Sequence, residues 1–191
     1  MSYVAGSVEA DFGEGVEQVM IDALRKQGYL VIHRAQWTGP KNTAAMVEGV
    51  DGKKFILPDA DASMHGHSCI VDAKAKTVPN FFRIRNRFEH GVEINPLYCY
   101  MRCAYEFNKP VAIILFEQDS GKWLITNPER MLINHIKDKS FNFISYDEDN
   151  RGMAQGMGQF RSLLNVPVDM FQEIDINNVD LREHATRVKL L

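Results

Sequence analysis

The chain has 191 residues, 45% of them hydrophobic, and a formal net charge of −3 at pH 7, values typical of one soluble globular domain. With 22 basic and 25 acidic residues, the chain lacks the strongly basic composition of an obligate nucleic-acid coat protein, and this class of protein is excluded. The sequence shows no secretory signal and no apolar run of membrane length, so we expect a cytoplasmic protein without a membrane partner.

The predicted elements start with a helix and continue with a series of strands. In the helix, Gly13–Gln27, apolar residues follow the 3.6-residue period, and Gly28 is a natural stop. The segments that follow are β-branched, aromatic or alternating in polarity, which predicts strands. These strands are Tyr29–Ile32, Lys54–Asp61, Ser68–Lys76 and Phe81–Phe88.

The second half of the chain continues this alternation. Asn95-Pro96 starts a helix that runs to about Phe107, because proline fits the first helical turn. Val111–Phe116 is a nearly continuous apolar run, as expected of a strand buried on both faces, and a hairpin leads into 122–126. This order predicts an α/β sandwich with a central mixed sheet. Residues 152–158 are predicted to form a mobile loop.

Acidic residues stand at the end of one predicted strand, and an Asp-x-Lys sequence stands at the end of the next. Because side chains alternate along a strand, Asp72, Lys74 and Lys76 project to one side, and Asp59 and Asp61 share a face. If a turn joins the two strands, carboxylates converge beside an ammonium group, an arrangement that suits a hard divalent cation. Asp61 competes with Asp59 as a ligand, and the proline before Asp59 favours the latter.

This layout, with Pro58-Asp59 and Asp72-Ala73-Lys74, resembles the PD-(D/E)xK nuclease superfamily. The superfamily has the restriction-endonuclease-like fold of many restriction enzymes, Holliday-junction resolvases and phage nucleases, which implies an α-β-α sandwich here. In that superfamily a helix carrying a glutamate precedes the sheet, and Glu17 matches it. Asp72 stands where the third motif usually has glutamate.

The resemblance covers about residues 10–126 of one predicted domain, 1–191, with residues 127–191 as a C-terminal extension. It implies a metal-dependent DNA endonuclease, structure-specific in the manner of junction resolvases and acting as a homodimer on branched DNA. Such a protein would be intracellular, and a viral gene is a compatible source. A restriction-type enzyme, an exonuclease and a catalytically silent member that binds nucleic acid or protein stay open as alternatives.

The resemblance also assigns roles to individual residues. Asp59, Asp72 and the backbone carbonyl of Ala73 would bind Mg²⁺, for which Mn²⁺ would substitute. Lys74 would orient or help deprotonate the attacking water, and Glu17 would contact the ion through a water molecule. The predicted catalytic residues are therefore Glu17, Asp59, Asp72 and Lys74.

A basic stretch follows the Asp-x-Lys sequence, since no acid occurs between Ala73 and Phe88. If 81–88 is a single strand, its three arginines alternate onto one face and can follow the phosphates of DNA, or they form the charged outside of a half-buried strand. On the second helix, Tyr98 or Arg102 is expected to assist the site, by resemblance. The predicted DNA-binding residues are Lys76, Arg83, Arg85 and Arg87.

Overall fold

The computed structural model describes residues 8–34, 45–83, 86–137, 143–146 and 162–184. Within these ranges the chain forms four α-helices and twelve strands. The helices are α1 (Val8–Lys26), α2 (Ile94–Glu106), α3 (Pro128–Lys137) and α4 (Leu181–His184). The strands are β1 (Leu30–His33), β2 (Met46–Glu48), β3 (Lys54–Ile56), β4 (Ala60–Met64), β5 (His67–Lys76), β6 (Asn80–Phe82), β7 (Arg87–Glu93), β8 (Val111–Glu117), β9 (Lys122–Thr126), β10 (Phe143–Tyr146), β11 (Ser162–Pro167) and β12 (Gln172–Ile174).

Six strands form the main sheet in the order β1-β4-β5-β8-β9-β12. The central neighbours β5 and β8 are parallel and the other pairs are antiparallel, so the sheet is mixed. One hydrophobic cluster packs α1 on one face, and a second packs α2 on the other. A second sheet, β10-β11-β7-β6, joins the α2 side through Leu164 and Val166. The predicted α/β sandwich with a central mixed sheet is confirmed.

Helix α1 starts at Val8, earlier than the predicted Gly13. The extra N-terminal part makes a tertiary contact, because the ring of Phe12 packs on Phe116 of β8 with 6.2 Å between centroids. The predicted end is confirmed: Gly28 has φ of 93°, a left-handed conformation that glycine adopts without strain.

Strands β4 and β5 form the antiparallel hairpin that the sequence predicts. Ala62 lies opposite Cys69, and the turn consists of His65 and Gly66, with φ of 51° and 78°. Two consecutive left-handed residues give a turn whose twist matches that of the strands it joins. The hairpin therefore brings the start of β4 next to the middle of β5.

The predicted strand Lys54–Asp61 is divided in two in the structure. Its first part, β3, pairs with β2 in a separate two-stranded sheet, and its last part begins β4 of the main sheet. Pro58 lies in the break between them, and proline has no N–H for a strand ladder. Asp59 is therefore placed at a bend just before β4 and not within a regular strand.

The prediction of a single strand from Phe81 to Phe88 is wrong. The chain forms β6, turns between Arg83 and Asn86, and returns as β7. Asn86 has φ of 51°, a conformation that asparagine tolerates better than most residues. The alternating pattern misled because both halves of a short hairpin alternate in the same way as one strand.

Residues 162–184 take part in the six-stranded and four-stranded sheets and in the core, although their sequence pattern is weak. Strand β12 is the edge strand of the main sheet, and β11 pairs with β7. Ile176, Val179 and Leu181 belong to the cluster beneath α1. The predicted mobile loop at 152–158 lies outside the described residues. None of the helices described is long and apolar enough to cross a membrane.

Candidate active site

The break before β4 lies against β5 through one hydrogen bond. The backbone N–H of Ala73 donates to Asp59 Oδ2 over 2.7 Å. Because Ala73 follows Asp72 directly, this bond places the Asp59 carboxylate beside that of Asp72, and its charge raises the pKa of Asp72. With Lys74 and Glu17, these residues form what we term the carboxylate cluster.

Asp72 is the most buried member of the cluster, with its side chain 1% exposed. The Tyr100 hydroxyl of α2 donates to Oδ1 over 2.5 Å. Oδ2 lies 2.6 Å from Lys74 Nζ, but no described donor reaches this oxygen in hydrogen-bond geometry. Burial raises the pKa of Asp72 to about 7, and nearby Asp59 adds to the shift while Lys74 and Tyr100 oppose it.

The Lys74 ammonium contacts two of the predicted ligand oxygens. Nζ lies 2.6 Å from Asp72 Oδ2 and donates to the carbonyl oxygen of Ala73 over 3.3 Å. It also lies 5.6 Å from the centre of the Tyr100 ring. Burial by itself lowers the pKa of Lys74, but the acidic groups around it, led by Asp72, hold that pKa well above its ordinary value. The side chain is therefore charged, and the two oxygens converge on one cation.

Glu17 of α1 reaches the cluster from the other face of the sheet. Its Oε1 shares a hydrogen bond with Nε2 of His33, the last residue of β1, and the two side chains are 19% and 12% exposed. Burial raises the pKa of Asp59, Lys74 opposes the shift, and the Glu17 charge raises it further. The structure therefore brings together the four residues that the sequence predicts as catalytic.

Asp61 is kept out of the cluster by two basic side chains. Its Oδ2 accepts a hydrogen bond from Arg34, and its Oδ1 accepts one from Lys109 Nζ over 3.2 Å. Arg34 Nη1 also donates to the Pro58 carbonyl over 3.1 Å, so this side chain holds the break before β4. Asp61 thus has its own cations, whereas Asp59 lies beside Asp72.

On α2 the residue at the site is Tyr100, which the sequence reasoning missed. The proposed helpers lie elsewhere: Tyr98 is 56% exposed, and Arg102 is bonded to Asp51 and Glu106. Arg102 thereby holds the β2–β3 hairpin against the helix. A signal for Tyr100 was present, because it follows Leu97 by three residues and both lie on the buried stripe of α2.

His33 was missed as well, because a histidine at a strand end carries no motif of its own. Its place was nevertheless readable from the strand period. It follows buried Val31 by two positions on β1 and therefore faces the α1 side of the sheet, where Glu17 lies.

The predicted DNA-binding residues are spread over several elements. Lys76 lies opposite Glu117 in the β5–β8 register, and Arg83 is exposed in the β6–β7 turn. Arg87 Nε donates over 2.7 Å to Glu89, whose side chain is fully buried. Arg85 lies outside the described residues. Since Arg83 and Arg87 flank a turn, they do not alternate along one strand as predicted.

The donor set of the cluster fits a hard divalent cation. No three His, Cys, Asp or Glu side chains in the described ranges are grouped so that they alone enclose a metal ion. Mg²⁺ does not need such a cage, since it binds one or two carboxylates and keeps several waters. The buried Asp72 Oδ2 and the Ala73 carbonyl already face a positive charge, and Asp59 lies alongside. These oxygens are the ligands that Mg²⁺ prefers.

The solved structures that are similar to this chain include the following two. Hjc, a Holliday junction resolvase from the archaeal hyperthermophile Archaeoglobus fulgidus, is 10% identical with a TM-score of 0.49, over 86% of this chain and 97% of that chain. D212, a nuclease from a fusselovirus, is 10% identical with a TM-score of 0.47, over 90% of each chain. No family model and no curated protein matches the sequence.

Proposed function

We propose that the protein is a metal-dependent DNA endonuclease that hydrolyses phosphodiester bonds at the carboxylate cluster. The observation that carries the proposal is the convergence of Asp72 Oδ2 and the Ala73 carbonyl on the Lys74 ammonium, next to Asp59. Phosphodiester hydrolysis needs a cation for the phosphoryl oxygens and a second positive group for developing charge. The oxygens of the cluster would bind the cation, and Lys74 is the second positive group.

Asp59, Asp72 and the Ala73 carbonyl would hold the ion, Mg²⁺ or Mn²⁺. When bound, the ion would compensate the charge of the phosphate and favour attack by water. The chain fixes its ligands in advance: Tyr100 orients Asp72, and the Ala73 N–H orients Asp59. Such preorganised groups need little rearrangement during the reaction.

Lys74 acts as a charged donor in this mechanism. Because its pKa is held well above the ordinary value, the side chain does not take a proton from water in the resting protein. It would donate to the attacking water or to a phosphoryl oxygen and stabilise the negative charge that develops there. The hydrogen-bonded pair of Glu17 and His33 lies at the same site and is able to accept the proton that the water releases.

We further propose that the substrate is branched DNA and that the protein acts on it as a homodimer. Its support is the resemblance of residues 13–18, followed by 28–31, to the start of archaeal-type Holliday-junction resolvases. Two protomers would then each cut one strand. Cleavage of a labelled four-way junction, compared with linear duplex and single strand, separates this substrate from the others.

The test is cleavage of these labelled DNAs with Mg²⁺ and with chelator. Asp59→Asn, Asp72→Asn and Lys74→Ala should each lower the cleavage rate by about 100-fold or more, since each removes a ligand or a charge donor. Asp61→Asn is the matched control and should keep most of the activity. Cleavage that persists with chelator, or in both Asp72→Asn and Lys74→Ala, contradicts the proposal. Tight DNA binding without cleavage would identify a catalytically silent protein.

A further inference from the structure

The β6–β7 hairpin carries two phenylalanines that the hydrophobic core does not use. Phe81 and Phe88 are 48% and 51% exposed. They lie directly opposite each other in the antiparallel register, with ring centroids 5.0 Å apart and planes tilted by 56°. The two side chains therefore share one face of the hairpin, and each residue keeps about half of its surface open to solvent.

This hairpin continues the strand that carries the cluster. Only residues 77–79 separate the end of β5 from β6. In the strand registers of the described residues, 81–82 lie opposite 87–88, whereas 89–93 of β7 also pair with β11. The outer part of the hairpin, which we term the aromatic arm (80–83 and 86–88), therefore extends past the part of β7 that pairs with β11.

The charge of the arm is positive on its exposed side. Arg83 and Asn86 are exposed at the turn, and Asn80 is exposed at the base. The first acid after Asp72 along the chain is Glu89, which is fully buried and bonded to Arg87. An anionic polymer can therefore approach the rings without meeting an exposed carboxylate on the described part of the arm.

We propose that the aromatic arm binds unpaired bases of a DNA strand on Phe81 and Phe88, while Arg83 contacts the phosphates. Bases of any sequence can stack on an aromatic ring, and arginine beside such rings is typical of surfaces that bind single strands. The arm would select DNA with a single-stranded or splayed segment and lead it along β5 to Lys74. The assignment of DNA as the polymer rests on the proposed function.

The experiment measures binding of fluorescently labelled oligo(dT) and of a duplex of equal length by anisotropy, in EDTA. The double variant Phe81→Leu with Phe88→Leu keeps the apolar surface but removes the rings. It should weaken binding of the single strand by about tenfold or more and binding of the duplex by less than about twofold. Tyr105→Leu is the matched control, since Tyr105 is 79% exposed on α2 and should leave both affinities unchanged.

A second variant keeps the test decisive if the double variant does not fold, which melting followed by circular dichroism would reveal. In Phe88→Trp the added indole should be quenched when oligo(dT) binds, because a stacked base contacts it. Absence of quenching, or equal loss of single-strand and duplex binding in the leucine variant, overturns the proposal.

A third result would assign the rings to another partner. If light scattering shows a dimer that the leucine variant converts to a monomer while oligo(dT) binding is unchanged, the surface binds a second copy of the chain and the proposal is wrong. If only the proposal for the aromatic arm is wrong, the wild type still cleaves duplex DNA. Failure of the proposed function instead appears as an absence of cleavage with selective binding of oligo(dT) retained, so the two failures are distinguishable.

Discussion

Asp59 and Asp61 are two residues apart but lie in opposite electrostatic surroundings. Asp61 has two basic partners, Arg34 and Lys109. Asp59 shares the single ammonium of Lys74 with Asp72, and the carboxylate of Glu17 lies close enough to raise its pKa. The two acids therefore differ in charge balance: Asp61 is paired with two basic side chains within the fold, whereas Asp59 and Asp72 share one ammonium and would take up a further cation under the proposed function.

The largest effect is expected from neutralising the buried acid of the cluster. The pKa of Asp72 in the folded protein is about 7, against an ordinary value of 3.8, so the wild type loses stability as pH rises from about 4 through 7. Asparagine does not titrate. Without divalent ions at pH 8, Asp72→Asn should be more stable than the wild type by on the order of a few kcal/mol.

Urea denaturation with EDTA at pH 4, 6 and 8 measures this difference in unfolding free energy. The gap between Asp72→Asn and the wild type should shrink towards zero as pH falls to 4, because Asp72 is then protonated in the folded protein. If Asp72→Asn is less stable than the wild type at pH 8, the Lys74 ammonium already compensates the negative charge of Asp72, and the prediction is wrong.

The same substitution at the balanced acid should act in the opposite direction. Asp61→Asn leaves Arg34 and Lys109 without their carboxylate, so we expect a loss of about 1–3 kcal/mol in unfolding free energy at pH 8. Urea denaturation of Asp72→Asn and Asp61→Asn under the same conditions measures both changes in unfolding free energy. Changes of the same sign at pH 8 would contradict this prediction.

A smaller effect is expected at the hydroxyl that orients Asp72. Tyr100→Phe removes the donor to a buried carboxylate and should cost about 1–2 kcal/mol at pH 8. Tyr105→Phe, on the exposed side of the same helix, should leave stability unchanged within about 0.5 kcal/mol. Thermal melts of both variants check this, and identical melting temperatures would mean that water replaces the hydroxyl.

The smallest effect concerns the exchange of one cation for another. Lys74→Ala removes the ammonium that faces Asp72 Oδ2 and the Ala73 carbonyl. Mg²⁺ should then stabilise the variant by about 1 kcal/mol more than it stabilises the wild type, since the ion no longer competes with a bound charge. Lys109→Ala is the control, because Lys109 donates its hydrogen bond to Asp61. Melting temperatures with and without Mg²⁺ measure both, and a gain confined to Lys109→Ala would move the cation site to Asp61.

Much of the fold was predictable because the signals are local. The helix that ends before Gly28, the β4–β5 hairpin and the buried strand β8 follow from periodicity and turn residues. The neighbourhood of Asp59, Asp72 and Lys74 followed from strand alternation together with one turn. These features depend on residues close together in sequence.

The missed features depend on how distant elements pack. Tyr100 of α2 reaches Asp72, and His33 of β1 reaches Glu17 of α1, only because elements distant in sequence pack together. The period of each element indicates which face these residues occupy but not which partners they meet. The division of 54–61 follows from pairing of β3 with β2. Asn86 in the β6–β7 turn was a usable signal, since asparagine tolerates a left-handed backbone.

The helix that carries Glu17 completes its packing with residues from the other end of the described chain. The Tyr29 hydroxyl, just after α1, accepts a hydrogen bond from the backbone N–H of Leu181 over 3.1 Å, across 152 positions of sequence. Contacts of such separation form slowly in folding. We expect pulse-labelled hydrogen exchange to show α1 protected after β5 and β8. Glu17 would then join the other acids late, so that the carboxylate cluster stays incomplete while the C-terminal part of the chain is still being synthesised.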